Sequence, residues 1–102
     1  MSALLAAKIA AQLDAHFPEV TELERHLLNG VAFLEETGEV AGALRRYLGL
    51  ARRTGTLTEV AAELADSLIA LYVMAHYLGI DLDTAVTNKA DVIFARGFKD
   101  PR

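Results

Sequence analysis

Two copies of one helix-starting pattern, Thr21-x-x-Glu24 and Thr56-x-x-Glu59, constrain this chain more than any other feature. In each, the threonine side chain can accept from a backbone N–H three residues on while the glutamate reaches back to the threonine N–H. After the first pattern Leu23, Leu27, Val31, Leu34, Ala41, Leu44 and Leu48 recur at helical spacing as far as Gly49. After the second, the run continues to Leu78 and meets Gly79, a usual residue for a left-handed C-terminal cap. The sequence therefore predicts two long helices. Residues 51–55, with Arg52 and Arg53 and no periodicity, form a solvated connection short enough to make the helices antiparallel neighbours.

Two shorter helices flank this pair. Ser2 can cap one that runs to about residue 16, which Pro18 closes because the residue before proline avoids the helical region. Asp81 or Asp83 can open another that continues to about residue 96 and stops at Gly97, leaving the polar tail Asp100, Pro101, Arg102. No strand pattern occurs. The expected fold is all-α, a four-helix bundle-like protomer occupying residues 1–102 as one domain.

A chain of 102 residues has little stability margin from its own core, and the third helix asks for more cover than one protomer gives. Leu68, Ile69, Leu71, Tyr72, Val73, Met74 and Ala75 circle its axis where a surface helix would show a polar stripe. The outward side of helix 3, or part of helix 2, should pack against a second copy, giving a homodimer or homotetramer. The longest stretch without formal charge, residues 67–80, is fourteen residues, short of the roughly 18 to 20 that span a membrane.

Composition excludes several function classes. An apolar fraction of 53% with 24% charged residues describes a folding chain. A net charge of −4 supplies no basic field for a nucleic-acid polymer. The absence of cysteine removes disulfides and thiolate metal sites and fits a reducing cytoplasm, the expected location, since the N-terminus shows no signal-peptide pattern.

The acidic residues carry the chemistry. Glu35, Glu36 and Glu39 share one face of helix 2, and Glu63 and Asp66, three apart, share one face of a helix that is otherwise almost wholly apolar beyond them. Asp66 is a weak helix former placed three turns inside a helix, which propensity does not explain. Brought together, two carboxylates about 4 Å apart repel by about 1 kcal/mol in water and about 4 kcal/mol at an effective dielectric near 20. Several such groups cannot all stay ionised unaided: either some are protonated or a cation holds them, and the second is the common solution where several acids converge. Oxygen-only ligands suit Mg²⁺, with Mn²⁺ or Ca²⁺ as alternatives, and His16, His26 and His76 lack the Glu-x-x-His spacing of di-iron bundles. Mg²⁺ keeps open positions that substrate phosphates fill, which points to a nucleotide or diphosphate. Gly38 and Gly42, inside helix 2, flank Glu35 by angle and are expected to leave space beside it.

EETGE at 35–39, followed after 23 residues by ELAD at 63–66, resembles the E-E-x-x-E and E-x-x-D signature of MazG-like nucleotide pyrophosphohydrolases, and the similarity covers residues 27–98. The resemblance implies an all-α enzyme that hydrolyses a nucleoside triphosphate to its monophosphate and diphosphate with Mg²⁺, in nucleotide-pool cleaning. It also implies Glu36, Glu39, Glu63 and Asp66 as metal ligands and Glu35 as the residue that holds or activates the attacking water. KADVIFAR at 89–96 is similar to the family's phosphate-binding pair, which would be Lys89 and Arg96. The family's pattern has an asparagine where this chain has Ile93, so contacts to sugar or base are expected to differ. Base-stacking candidates are Phe17, Phe33, Tyr47, Tyr72, Tyr77 and His76, and Arg45, Arg46, Arg52 and Arg53 are further candidates for phosphates across an oligomer interface. The competing readings are a non-catalytic helical dimerisation module with the same fold and an enzyme acting on another diphosphate, such as a nucleotide sugar.

Overall fold

The computed structural model describes residues 2–99, so the tail Asp100, Pro101, Arg102 lies outside the described residues. Four α-helices follow in order, α1 Ser2–His16, α2 Glu22–Tyr47, α3 Leu57–Leu78 and α4 Leu82–Ala95, with no strand among the described residues. The expected all-α, four-helix architecture is present, and no helix is long and apolar enough to cross a membrane.

The caps show why these boundaries hold. At Thr21 both arms of the capping box form: Glu24 N–H donates to Thr21 Oγ1 at 3.2 Å and Thr21 N–H donates to Glu24 Oε1 at 3.1 Å. Thr56 accepts from Glu59 N–H at 3.2 Å, but the reciprocal arm is missing. The Glu59 carboxylate turns instead to Arg46 and Arg53, each 3.8 Å away, so the role of reciprocal cap read for Glu59 is corrected to an ion-pair role. Gly79 caps α3 in the left-handed region at φ 69°, where a side chain would be strained. Asp81, the first of the two candidates, caps α4 by accepting from Thr84 N–H at 3.1 Å. Ser2 is not a cap: it is already helical, and its hydroxyl donates to Asp83 Oδ2 at 2.8 Å, fastening α1 to α4.

α2 and α3 form the main seam, and α1 packs on α3. Their pairing is antiparallel, because Arg46 late in α2 meets Glu59 early in α3 while Glu36 meets Glu63 and Asp66. α4 makes no comparable contact with the other three. The radius of gyration is 16.5 Å, against about 13 Å for a compact chain of this length.

The buried set is small side chains, Ala6, Ala10, Ala43, Val60, Val73 and Ala75, together with two polar ones, Arg25 and Asn29. The apolar stripe of α2 faces away from this seam: Leu23 is 69% exposed, Leu27 63% and Leu34 70%, and Val31, Leu44 and Leu48 are exposed with them. The seam with α3 is therefore lined on the α2 side by Arg25, Asn29, Glu36 and Ala43, a mixed polar face turned inward.

Candidate metal centre

Glu36 projects from α2, and Glu63 and Asp66, one turn apart, project from α3 toward it. One carboxylate oxygen from each of the three lies within 4.8 Å of the others, with Glu36 and Glu63 partly buried and Asp66 exposed. The ion pairs among the described residues, His26–Glu22, Arg46–Glu59 and Arg53–Glu59, leave this cluster without a basic partner. The Glu36 carboxyl is accordingly raised above its ordinary value, by partial burial first and then by the charges of Asp66, Glu63, Glu39 and Glu35.

The donor set fits a hard divalent cation. Three convergent carboxylate oxygens with no nitrogen or sulfur donor are the ligand chemistry that Mg²⁺ takes, and water or substrate oxygens would complete its shell. Glu39 stands outside the three-way cluster and is exposed, yet its charge reaches Glu36. Glu35 is exposed at the rim of a cavity of about 520 Å³ that opens beside Glu36 and Asp66.

That cavity contains what the sequence reading missed. Arg25, 8% exposed, and Asn29, 6% exposed, line it with Phe17, Leu28 and Val73. Their spacing was the available signal, because positions 25, 29 and 36 fall on one face of a helix. Of the aromatic candidates, Phe17 lines this cavity, whereas the Tyr72 hydroxyl donates to Asp83 at 2.7 Å and the Tyr77 ring lies under the Arg25 guanidinium at 5.6 Å. His76 lines a separate cavity of about 440 Å³ near Asp83.

The remaining candidates lie apart. Lys89 is exposed on α4 and Arg96 caps its C-terminus, and neither lines the cavity beside the cluster. Arg45, Arg46, Arg52 and Arg53 gather at the α2–α3 connection, with Arg45 Nε donating to the Leu50 carbonyl at 2.8 Å. Gly38 leaves open space, but a Cβ at Gly42 would meet the Arg46 guanidinium at 3.2 Å, so the room expected there beside Glu35 is filled by Arg46.

A family model described as phosphoribosyl-ATP pyrophosphohydrolase matches residues 3–91. No curated protein and no solved structure gives a match.

Proposed function

The chain belongs to the phosphoribosyl-ATP pyrophosphohydrolase family, within the MazG-like all-α superfamily, and is a phosphoanhydride-cleaving hydrolase; from that premise we propose that it converts a nucleoside triphosphate and water to the monophosphate and diphosphate with Mg²⁺. The observation that carries this reading is the convergence of Glu36, Glu63 and Asp66 with no basic side chain paired to them among the described residues.

Glu36, Glu63 and Asp66 would hold the metal, with Glu39 completing the set from the next turn. When bound, the ion would supply positive charge to the substrate's phosphate oxygens. Glu35, at the cavity rim, accepts a proton from the attacking water while its oxygen bonds to phosphorus. Within one chain α4 barely touches α2 and α3, so Lys89 and Arg96 would reach the substrate phosphates from a second copy. The outward stripe of α2 is the surface that such a copy would cover, giving a homodimer or a dimer of dimers.

A domain that kept the fold for dimerisation alone would have no need of three unneutralised carboxylates at one point, which favours the enzyme over the non-catalytic module. The test is diphosphate release with Mg²⁺ from a panel of standard and damaged nucleoside triphosphates, with phosphoribosyl-ATP included because the family's name specifies it. Background rates across the whole panel would overturn the proposal.

A further inference from the structure

Arg25 is more than nine-tenths buried, yet its guanidinium forms no ion pair among the described residues. A buried charge without a counter-ion is costly, so its presence needs a reason. The Tyr77 ring takes part of that charge at 5.6 Å. Asp14 does not take the rest: its carboxylate accepts from the Tyr77 hydroxyl at 2.8 Å and makes no ion pair with Arg25. One turn further along α2, the Asn29 amide nitrogen is buried with no hydrogen-bond partner. By contrast, the cavity near Ser2 has its polar groups engaged, with Asp83 accepting from both Ser2 and Tyr72.

Both residues line the cavity of about 520 Å³ that continues from Glu36 and Asp66, a size within the usual range for small-molecule sites. Arg25 is eleven residues from Glu36 on the same face of α2, about 16 Å along the helix axis. The cavity therefore has the acid cluster at one end and an unneutralised cation at the other, with Leu28 and Val31 as apolar wall between them along α2. A ligand that fills it carries negative charge at both ends. A triphosphate held at the carboxylates through a metal places its own charge there, and its base runs on along the apolar wall. What reaches Arg25 is the side of the base remote from the triphosphate. A plain nucleoside triphosphate has no anion on that side, whereas a second phosphate there would meet the planar fork of the guanidinium, which pairs with phosphate oxygens two at a time.

We infer that Arg25 is a specificity-determining residue that binds a phosphate monoester carried by the substrate on the side of its base away from the triphosphate, and so favours a nucleotide substituted in this way over a plain nucleoside triphosphate. This rests on the nucleotide reading of the metal centre. The family's description, phosphoribosyl-ATP pyrophosphohydrolase, names a nucleotide with both groups, and Arg25 is the buried cation that the second one would neutralise. A site whose charged group stays unpaired with the wrong substrate discriminates more strongly than one that only fits an apolar shape.

The experiment compares the full chain with Arg25→Met, which keeps the apolar stem and removes the charge, and with Arg25→Lys, which keeps the charge and removes the fork. With Mg²⁺, Arg25→Met should lower kcat/KM for phosphoribosyl-ATP by about ten- to a hundredfold, the loss of a charge-assisted hydrogen bond, and leave that for ATP within about twofold of wild type. Arg25→Lys should fall between the two. A second readout needs neither metal nor turnover: ribose 5-phosphate, which has no anhydride bond to cleave, should bind wild type in calorimetry and lose that binding in Arg25→Met. The melting temperature of Arg25→Met should not fall, because removing a buried charge without a counter-ion is neutral or stabilising. An equal loss on phosphoribosyl-ATP and ATP, no loss on either, or unchanged binding of ribose 5-phosphate overturns the inference. A lowered melting temperature with unchanged binding would make Arg25 a structural residue and overturn it as well. Binding of ribose 5-phosphate through Arg25 by a chain that cleaves no nucleotide would overturn the hydrolase reading and leave the phosphate site standing, whereas hydrolysis indifferent to Arg25 would do the reverse.

Discussion

The Tyr72 hydroxyl donates to Asp83 Oδ1 at 2.7 Å, and that bond, with Ser2 donating to the other oxygen at 2.8 Å, fastens α3 and α1 to the start of α4. The two hydroxyls hold the Asp83 carboxyl below its ordinary value, Tyr72 contributing most, while Asp83 in turn raises the Tyr72 phenol. A lowered carboxylate contributes stability that is present above its unfolded-state value and lost as pH falls through the folded one. A raised phenol contributes stability present below its unfolded-state value and lost as pH rises through the folded one. Protection of the α4 amides against exchange, taken relative to the intrinsic rate at each pH, should therefore be greatest between these limits and fall toward both, and Asp83→Asn should weaken the acid-side dependence. A profile identical in wild type and Asp83→Asn would show that the clasp does not hold α4.

The acid cluster should trade stability against metal binding. Glu36 has a raised carboxyl, so without metal its ionisation costs stability: the chain is more stable below the ordinary glutamate range and loses stability as pH rises through the folded value. Glu36→Gln should raise the metal-free melting temperature at neutral pH, and Mg²⁺ should stabilise wild type but not this variant. Mg²⁺ binding should also tighten with pH across the same window and release protons, seen as a buffer-dependent heat in calorimetry. A Glu36→Gln variant that still gained stability from Mg²⁺ would remove Glu36 from the ligand set.

Turnover should depend on the α3 ligands more sharply than folding does. Glu63→Gln and Asp66→Asn keep shape while removing a charge, and each should reduce diphosphate release by at least about a hundredfold with the helical circular dichroism unchanged. Glu35→Gln should spare Mg²⁺ binding and lower the rate, separating a water-activating residue from a ligand.

Some of this was legible in the residues and some was not, for identifiable reasons. Local chemistry predicted the helices, because a threonine cap or a glycine in the left-handed region acts within one turn: Thr21 with Glu24, Thr56 and Gly79 all perform as read. The meeting of Glu36, Glu63 and Asp66 was legible because two periodic helices joined by a short connection can pair in few ways. What failed depended on tertiary competition for one side chain. Glu59 could satisfy either a backbone N–H or two arginines, and Arg46 with Arg53 prevailed. Ser2 left a capping role for Asp83, eighty-one residues away. Arg25 and Asn29 are less legible, because polar residues on a helix are ordinarily solvated and only the inward turn of that face sets these two apart.

The α2–α3 connection depends on one residue without a side chain. A Cβ at Gly55 would lie 2.9 Å from Arg46 Cβ and 3.0 Å from a Glu59 carboxylate oxygen, while Gly55 N–H donates to the Arg46 carbonyl at 3.1 Å. Backbone and Cβ cannot both be kept there. Gly55→Ala should cost about 1–3 kcal/mol in denaturant melts, the usual range for overpacking. Gly38→Ala, where a Cβ meets nothing within 4 Å, should be neutral or mildly stabilising through helix propensity. Equal effects at the two sites would contradict the close approach at Gly55.

The outward stripe of α2 sets the last expectation. Leu23, Leu27 and Leu34 are 69%, 63% and 70% exposed along one helix, and the chain's radius of gyration of 16.5 Å is larger than a self-sufficient core of this length requires. Contiguous apolar surface of this kind is covered in stable soluble proteins. Light scattering should therefore give a mass of twice or four times 11.0 kDa. The double substitution Leu27→Glu with Leu34→Glu should shift the species toward monomer and lower its melting temperature. Because Lys89 and Arg96 are proposed to act on the phosphates of a neighbouring copy, the same double variant should lose turnover without any change to its own carboxylates. A strictly monomeric wild type that still released diphosphate would overturn both the covering of this stripe and the assignment of Lys89 and Arg96 to a neighbour's substrate.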